Sequence, residues 1–508
     1  MHPAQSAILL GAVLVLHVVH APFTKVEESF SLQAVHDILT YGIAPESIAA
    51  YDHIAFPGAV PRSFLGPLLL AGLTAPLLGA SKALGIVLDA SQVQLAVRIV
   101  LALATWAALI FFCTCVFPRH ALAQRYFYLL CAAQFHLTFW TGRTTPNGIA
   151  FPLAVAALGA IVGHRGTYAG LVLLVVTAST LRFEIFGLCI PAYLWVWRSG
   201  KRFAVVFWTG LFSIGLGALL SLGVDSYFWR HVDKIRVPHL GAWVWPEISA
   251  MQFNVVDGHA SNWGTMPWHT YLVHDIPRML TGTLPLFLVG LIYPVRAFPR
   301  AAILCMALFP VGLLSILSHK EWRFILYSVP LLNCVSAVGA VGCHASMHRI
   351  VPLACIAAAF ACSLLFSHVS ALNYPGGAAL HMLHRAVPEG GVSVHVDTLA
   401  AMTGVTRFQS IHMHRPSRSL VPQTEPEWVY DKREDLGYDD DAWREYTHII
   451  TEHANCNVTS RALFTPIAEA LGYSGAQRKP WHTYKQHLLT LHTHRSFASV
   501  RDALLPVH

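Results

Sequence analysis

ILLGAVLVLHVV, residues 8–19, runs almost directly into APFTKVEESFSLQAVHDILTYGIAPESIAAYDHIAFPGAVPRSFLGP, residues 21–67. An apolar run followed by a stretch dense in Glu, Asp, His, Tyr and Arg reads as a membrane span that delivers a polar loop to the membrane surface. No strongly basic segment precedes the run, so it reads as a retained span and not a cleaved signal. Inside the loop, Thr24 and Glu27 make a capping-box pattern and Gly42 sits where a glycine closes a helix, which predicts a helix between them. Glu27, Phe30, Ala34, Ile38 and Tyr41 share one side of it by i, i+3, i+4 recurrence. A carboxylate therefore heads an apolar face, where it can serve as a cap or as a base.

Working outward, the chain of 508 residues is 55% hydrophobic and only 12% charged, about half the charge of a soluble domain. That composition is polytopic and membrane-bound. Of the 10 cysteines, all but Cys456 fall in or beside apolar segments, and no CxxC pair or His/Cys cluster has ligand spacing. Neither a disulfide framework nor a zinc site is expected. The net charge of +7 comes from Arg and Lys scattered at span ends, which is a topology signal and no nucleic-acid stripe.

Further apolar spans are expected at about 92–116, 126–141, 148–163, 167–181, 183–197, 203–223, 283–298, 301–317, 323–342 and 350–371, about eleven with the first. Residues 64–84 are apolar but broken by Gly66, Pro67, Gly72, Pro76 and Gly79. If this segment makes no single crossing, Arg119, Arg125, Arg165, residues 198–202, residues 296–300 and Arg349 all fall on one side, which is then cytosolic. The segment is therefore read as re-entrant or interfacial. The opening loop 21–67, the loop 224–282, the turn 319–322 and the tail then share the luminal side. Asn457-Val458-Thr459 is a glycosylation sequon and agrees with a luminal tail. The fold class expected is mainly α, with a membrane module over 1–372 and a small luminal α/β domain over 373–508. Strand-like runs in that domain are VSVHV (392–396) and THII (447–450). The acidic run Asp439, Asp440, Asp441 reads as a solvated charge patch before a cation site.

Ionisable groups at membrane depth are costly and usually functional. Arg143 with Asn147, Arg182 with Glu184, and the knot His319-Lys320-Glu321-Trp322-Arg323 all lie at luminal span ends. Singly, Arg143 or Arg182 is either a snorkelling anchor or a ligand contact. Together with Arg62 and Arg278 they would ring one cavity with positive charge, which suits an anionic lipid headgroup, most simply a phosphate. A sugar carried on that phosphate has a good leaving group, so the enzyme needs cations to hold the phosphate and one base for the attacking hydroxyl. Glu27 or Glu28 opposite His319, Lys320 and Arg323 fits that need. A single phosphate removes the usual demand for a divalent metal.

Five motifs, TKVEESFSLQAVHDIL, YDHIAFPGAVPRSFLGP, FNVVDGHASNWGTMPW (253–268), HKEWRFILYSVPLLN (319–333) and LNYPGGAAL (372–380), resemble the dolichyl-phosphate-mannose-dependent mannosyltransferases. Among these, the similarity is to members that form an α-1,6 linkage on the dolichyl-pyrophosphate-linked oligosaccharide of N-glycosylation. The resemblance implies a GT-C fold, an endoplasmic reticulum membrane location, no cofactor, and inversion at the anomeric carbon. It carries an acidic pair onto Glu27 and Glu28 and leaves open which one is the base, with Glu27 favoured as head of the buried face. It carries a motif onto His319, Lys320 and Glu321 with Arg323 as a phosphate partner, and the span-end charges Arg182 and Arg143 complete the expected donor phosphate contacts. Acceptor contacts or positioning fall to Asp52, His53, Arg62, Ser261, Asn262, Trp263 and Glu321. The competing readings are a mannosyltransferase for a glycosylphosphatidylinositol precursor and, from another class, a lipid or sugar-phosphate transporter.

Overall fold

The computed structural model describes residues 2–232, 243–295, 298–346, 349–387, 391–424, 426–437, 440–453, 464 and 466–472. Two compact units emerge. One comprises residues 1–22, 27–368 and 415–423, and the other residues 23–26, 369–414 and 424–508. The first is helical throughout. Seven helices of the described chain are long and apolar enough to cross a membrane, eight if a bent pair counts as one span. The sequence reading of eleven includes segments that form shorter helices: Ala121–Ala133, Thr167–Thr180, Phe186–Arg198 and Arg300–Ser315. Prolines inside two of them, Pro191 and Pro310, remove a backbone donor where an apolar count sees only hydrophobicity.

Local chemistry explains the main boundaries. Asp89 accepts the Gln92 amide while Gln92 returns its side-chain oxygen to the Asp89 amide, each at 2.9 Å. This capping box starts the 27-residue helix Ala90–Val116. The bent pair, residues 135–142 and Pro146–Val162, turns through 110°. Pro146 opens its second half, and Thr145 caps it by accepting the Gly148 amide at 3.1 Å. A Cβ at Gly148 would stand 2.1 Å from the Arg143 carbonyl oxygen, so the turn closes only with glycine there.

Residues 65–83, expected to be broken, form the continuous helix Leu65–Ala83 with Pro76 inside it. Its length alone would let it cross. The helices Pro3–His20 and Ala90–Val116 run antiparallel: Arg98 donates to the carbonyls of Ala21 and Pro22 at 2.7 and 2.8 Å, and Trp106 to that of Ala7 at 2.6 Å. The chain leaves the first helix and enters the other on the same side. Leu65–Ala83 lies between them in sequence, an arrangement compatible with the expected segment that makes no single crossing.

The opening-loop helix spans Val26–Tyr41, and Gly42 ends it with φ +74°, a left-handed conformation that costs glycine nothing. The capping box expected at its start does not form, because the Thr24 hydroxyl is buried without a hydrogen-bond partner among the described residues. Its apolar face packs as the periodicity predicts. Phe30, Ala34, Ile38 and Tyr41 meet Ile48, Tyr51, Phe64, Phe228 and Trp229 in one cluster, with Phe30 stacked on Trp229 at 5.9 Å.

The second unit holds a parallel three-stranded sheet in the order β2 (Val429–Asp431), β1 (Ser393–Val396), β3 (His448–Ile450). Val394 pairs with Tyr430 on one side and His448 on the other. Leu380, Leu383, Val394, Val396, Trp428 and Ile450 form its core. The two strand-like runs supply β1 and β3; β2 is three residues long, too short to show a period of two. Asp440 caps a short helix by accepting the Ala442 amide at 2.9 Å. Asp439 and the Asn457 sequon lie outside the described residues. Asp397, Glu452 and His453 offer ligand atoms within 4.8 Å of one another, but Asp397 already accepts from the Thr398 amide and the Thr451 hydroxyl.

Candidate active site

The 110° bend and the opening-loop helix make the site's rear wall together. Glu28, on the first turn of that helix, is buried and accepts from Arg143 at 3.1 Å and from the Thr144 amide at 3.0 Å. Both side chains of this pair are almost fully enclosed, and the Arg143 guanidinium also lies 4.3 Å over the Phe139 ring. Glu28 thus fastens the helix to the bend. Glu27 is placed differently. It is half-buried, and its buried Oε2 has no hydrogen-bond partner among the described residues.

Phe30 and Ser31, three and four residues on from Glu27 and so on its side of the helix, line a crevice of about 110 Å³. Arg62, Arg182, Glu247 and Asn254 supply its polar lining. Arg182 pairs with Glu184 at 2.8 Å, and the Asn147 amide also donates to Glu184. Burial alone would lower the Arg182 guanidinium, but Glu184 and Glu247 hold it above its ordinary value. Glu247 accepts the Phe183 amide at 2.6 Å. Burial pushes its carboxyl up to about 7, against the pull of Arg182. Arg62 keeps an exposed surface and lines the crevice. The dense surroundings, then the charges of Arg182 and Arg323, lower it to about 10, while Glu247 and Glu27 act the other way. Five charged groups from five separate segments therefore share one electrostatic environment.

The 319–323 knot is organised rather than open. Lys320 is buried, donating to the carbonyls of Met266, at 3.2 Å, and Leu317. His319 Nδ1 lies 3.1 Å from the Gly264 carbonyl and its Nε2 3.1 Å from Glu321, and Arg323 donates to Glu321 at 2.8 Å. The turn thereby ties residues 264–266 to itself. Of the residues read as acceptor contacts, Arg62 reaches the crevice. His53 is buried among Phe64, Trp229 and Tyr51, with Nε2 3.0 Å from the Phe228 carbonyl. The Asp52 amide is held by Asp37 at 2.7 Å. Ser261 and Asn262 are exposed on a short 3-10 turn, His259–Trp263; the Trp263 side chain lies outside the described residues. Arg278 sits 5.6 Å from the Phe366 ring.

Three residues escaped the sequence reading. Arg98 and Asp225 each stand alone in an otherwise apolar helix, a signal that was available in the sequence. Asp225 accepts from the Phe64 amide at 2.7 Å and from Ser221 at 2.6 Å. Glu247 sits in a polar loop, where nothing in the pattern distinguishes it.

Apolar helices of crossing length, with Arg62, Arg182 and Glu247 gathered at one crevice between their ends, define the class, a polytopic membrane protein with a charged candidate site. Comparison with known proteins narrows it. Residues 8–396 match the Alg9-like mannosyltransferase family, and the chain belongs to that family. The Saccharomyces cerevisiae protein named Dol-P-Man:Man(7)GlcNAc(2)-PP-Dol alpha-1,6-mannosyltransferase is 32% identical over 87% of this chain and 82% of its own length. An Arabidopsis thaliana protein of the same name is 31% identical over 88% of this chain and 86% of its own. GPI mannosyltransferase 3 of Aspergillus fumigatus is 34% identical, but over 19% of this chain and 14% of its own. No solved structure matches the chain.

Proposed function

We propose that this chain transfers mannose from dolichyl phosphate mannose to the lipid-linked Man7GlcNAc2 oligosaccharide, forming an α-1,6 linkage with inversion. The whole-length relatives carry that name, whereas the glycosylphosphatidylinositol relative matches a short stretch. Membership of a transferase family weighs against the transporter reading.

In this reading Glu27 is the base. It takes the proton of the acceptor's 6-hydroxyl as that oxygen attacks the anomeric carbon from the face opposite the phosphate. The C1–O bond breaks, and dolichyl phosphate departs carrying the electron pair. Arg62, Arg182 and Arg323 stabilise the charge that gathers on its phosphate. Glu28 and Arg143 hold the base-bearing helix, and His319 and Lys320 shape the wall formed by residues 264–266. Ser261, Asn262 and Trp263 face the acceptor glycan. No metal takes part in this scheme. The shorter apolar helices complete eleven crossings in the endoplasmic reticulum membrane, with the crevice and the second unit in the lumen. The single observation that supports the reading is the buried Glu27 Oε2, which has no hydrogen-bond partner among the described residues, on the side of its helix that lines a crevice with Arg62 and Arg182.

The test is transfer by purified protein from dolichyl phosphate mannose to synthetic Man7GlcNAc2-lipid and, in parallel, to a glycosylphosphatidylinositol precursor, with linkage analysis of the product. An α-1,6-linked mannose on the first acceptor supports the proposal. Faster transfer to the second, or a different linkage, removes it.

A further inference from the structure

The Phe203–Trp229 helix is among the least buried of the apolar helices, yet its last turns carry two side chains that both grip the backbone beside the crevice. Asp225 is fully buried. Its Oδ1 accepts the Phe64 amide at 2.7 Å and the Ser63 hydroxyl at 3.2 Å, and its Oδ2 the Ser221 hydroxyl at 2.6 Å. Four residues on, and so on the same face, Trp229 donates its indole N–H to the Arg62 carbonyl at 2.9 Å. Trp229 is itself fixed between Phe30 and His53, and Phe64 stacks on Phe228 at 4.3 Å. Residues 62–64 are thus held at both ends by one helix, and Arg62 and Ser63 are the members of that segment that line the crevice.

Such a grip has an electrostatic purpose. The Arg62 guanidinium is repelled by Arg182 and Arg323 and attracted by Glu247 and Glu27, so where it sits among these charges depends on how its backbone is held. Rigid backbone anchors keep a cation in an unfavourable place until an anion arrives, which is how a site is preorganised for charge. We propose that Asp225 and Trp229 are positioning residues that hold the Arg62 guanidinium in the crevice for the donor's phosphate. The inference rests on the proposed mannosyl-phosphate chemistry, but it concerns which residues make the anion subsite.

The test is a double-mutant cycle on the full-length protein in lipid nanodiscs, with two readouts: donor KM and kcat in the transfer assay, and Kd for short-chain dolichyl phosphate. Trp229→Phe deletes the N–H together with part of the buried bicyclic ring, so thermal unfolding is measured alongside to separate the packing loss from the lost hydrogen bond. Loss of one neutral hydrogen bond corresponds to about a 3- to 10-fold weakening. Donor KM and dolichyl phosphate Kd are expected to rise by that factor, with a smaller fall in kcat. In an Arg62→Ala background the same change is expected to add nothing, because its effect travels through Arg62. Asp225→Asn, which retains an acceptor for the Phe64 amide, is expected to bind better than Asp225→Ala. Equal effects of Trp229→Phe with and without Arg62, or a fall in kcat with unchanged KM and Kd, would overturn the proposal. A wild-type protein that binds dolichyl phosphate with this coupling but transfers no mannose would sink the reaction and leave the anion subsite standing.

Discussion

Glu27 and Glu28 are adjacent, identical in chemistry and opposite in environment, so the same substitution at each should produce opposite signatures. Gln at position 27 is nearly isosteric and breaks no hydrogen bond at Oε2, since that atom has none among the described residues. Unfolding temperature should stay at the wild-type value. Loss of a general base costs about 10²- to 10⁴-fold in rate, roughly 3–5 kcal/mol of barrier, so kcat should fall by that factor while donor KM changes little. Gln at position 28 does the reverse. It leaves the enclosed Arg143 facing a neutral amide where a carboxylate oxygen stood at 3.1 Å. Removing one partner of a buried pair costs about 3–5 kcal/mol, and an amide that still accepts the Thr144 N–H keeps the loss toward the lower figure. The assay pairs single-turnover transfer with thermal unfolding in the same detergent. Wild-type turnover by Glu27→Gln would refute the assignment, as would a Glu28→Gln protein that loses turnover with its melting temperature intact.

Gly148→Ala should be among the most damaging small substitutions outside the crevice. Its Cβ would meet the Arg143 carbonyl at 2.1 Å, so the bend must open at a cost of about 1–3 kcal/mol, and thermal unfolding reads the loss. Glu247→Gln should alter the pH dependence of stability. With its carboxyl raised by burial from 4.5 to about 7, the folded state holds that proton more tightly than the unfolded chain. The resulting stabilisation is complete below about pH 4.5 and is lost as pH rises to about 7. Melting curves across this window should therefore be flatter for the variant than for the wild type.

The opening-loop helix was legible because its signals are local. The face of Phe30, Ala34, Ile38 and Tyr41 needs only a period of 3.6, and Gly42 needs only its own dihedrals. The start was misread for the same reason. Thr24 and Glu27 have capping spacing, but spacing cannot report that the hydroxyl finds no partner among the described residues. Apolar patterning and helix length part company at the bend before Pro146 and at the Pro191 and Pro310 helices, so the described residues show seven or eight helices of crossing length beside the eleven spans expected. The site was legible as residue types: Arg62, Arg182, Glu184 and Arg323 were visible as costly charges beside apolar runs. That Glu247 joins them depends on a contact with Phe183, 64 positions away, and that Asp225 and Trp229 anchor residues 62–64 depends on contacts more than 150 positions apart.

Read along the chain, the residues establish a polytopic membrane protein, an amphipathic helix within residues 21–67 headed by two glutamates, and the motifs that tie it to a family of sugar transferases. Those are properties of composition, periodicity and short spacing, all readable along a line. Which glutamate lacks a partner among the described residues follows from the fold in three dimensions. That depends on where Arg143 arrives from 115 residues away, and a carboxylate's role is set by the charges and donors that surround it in space.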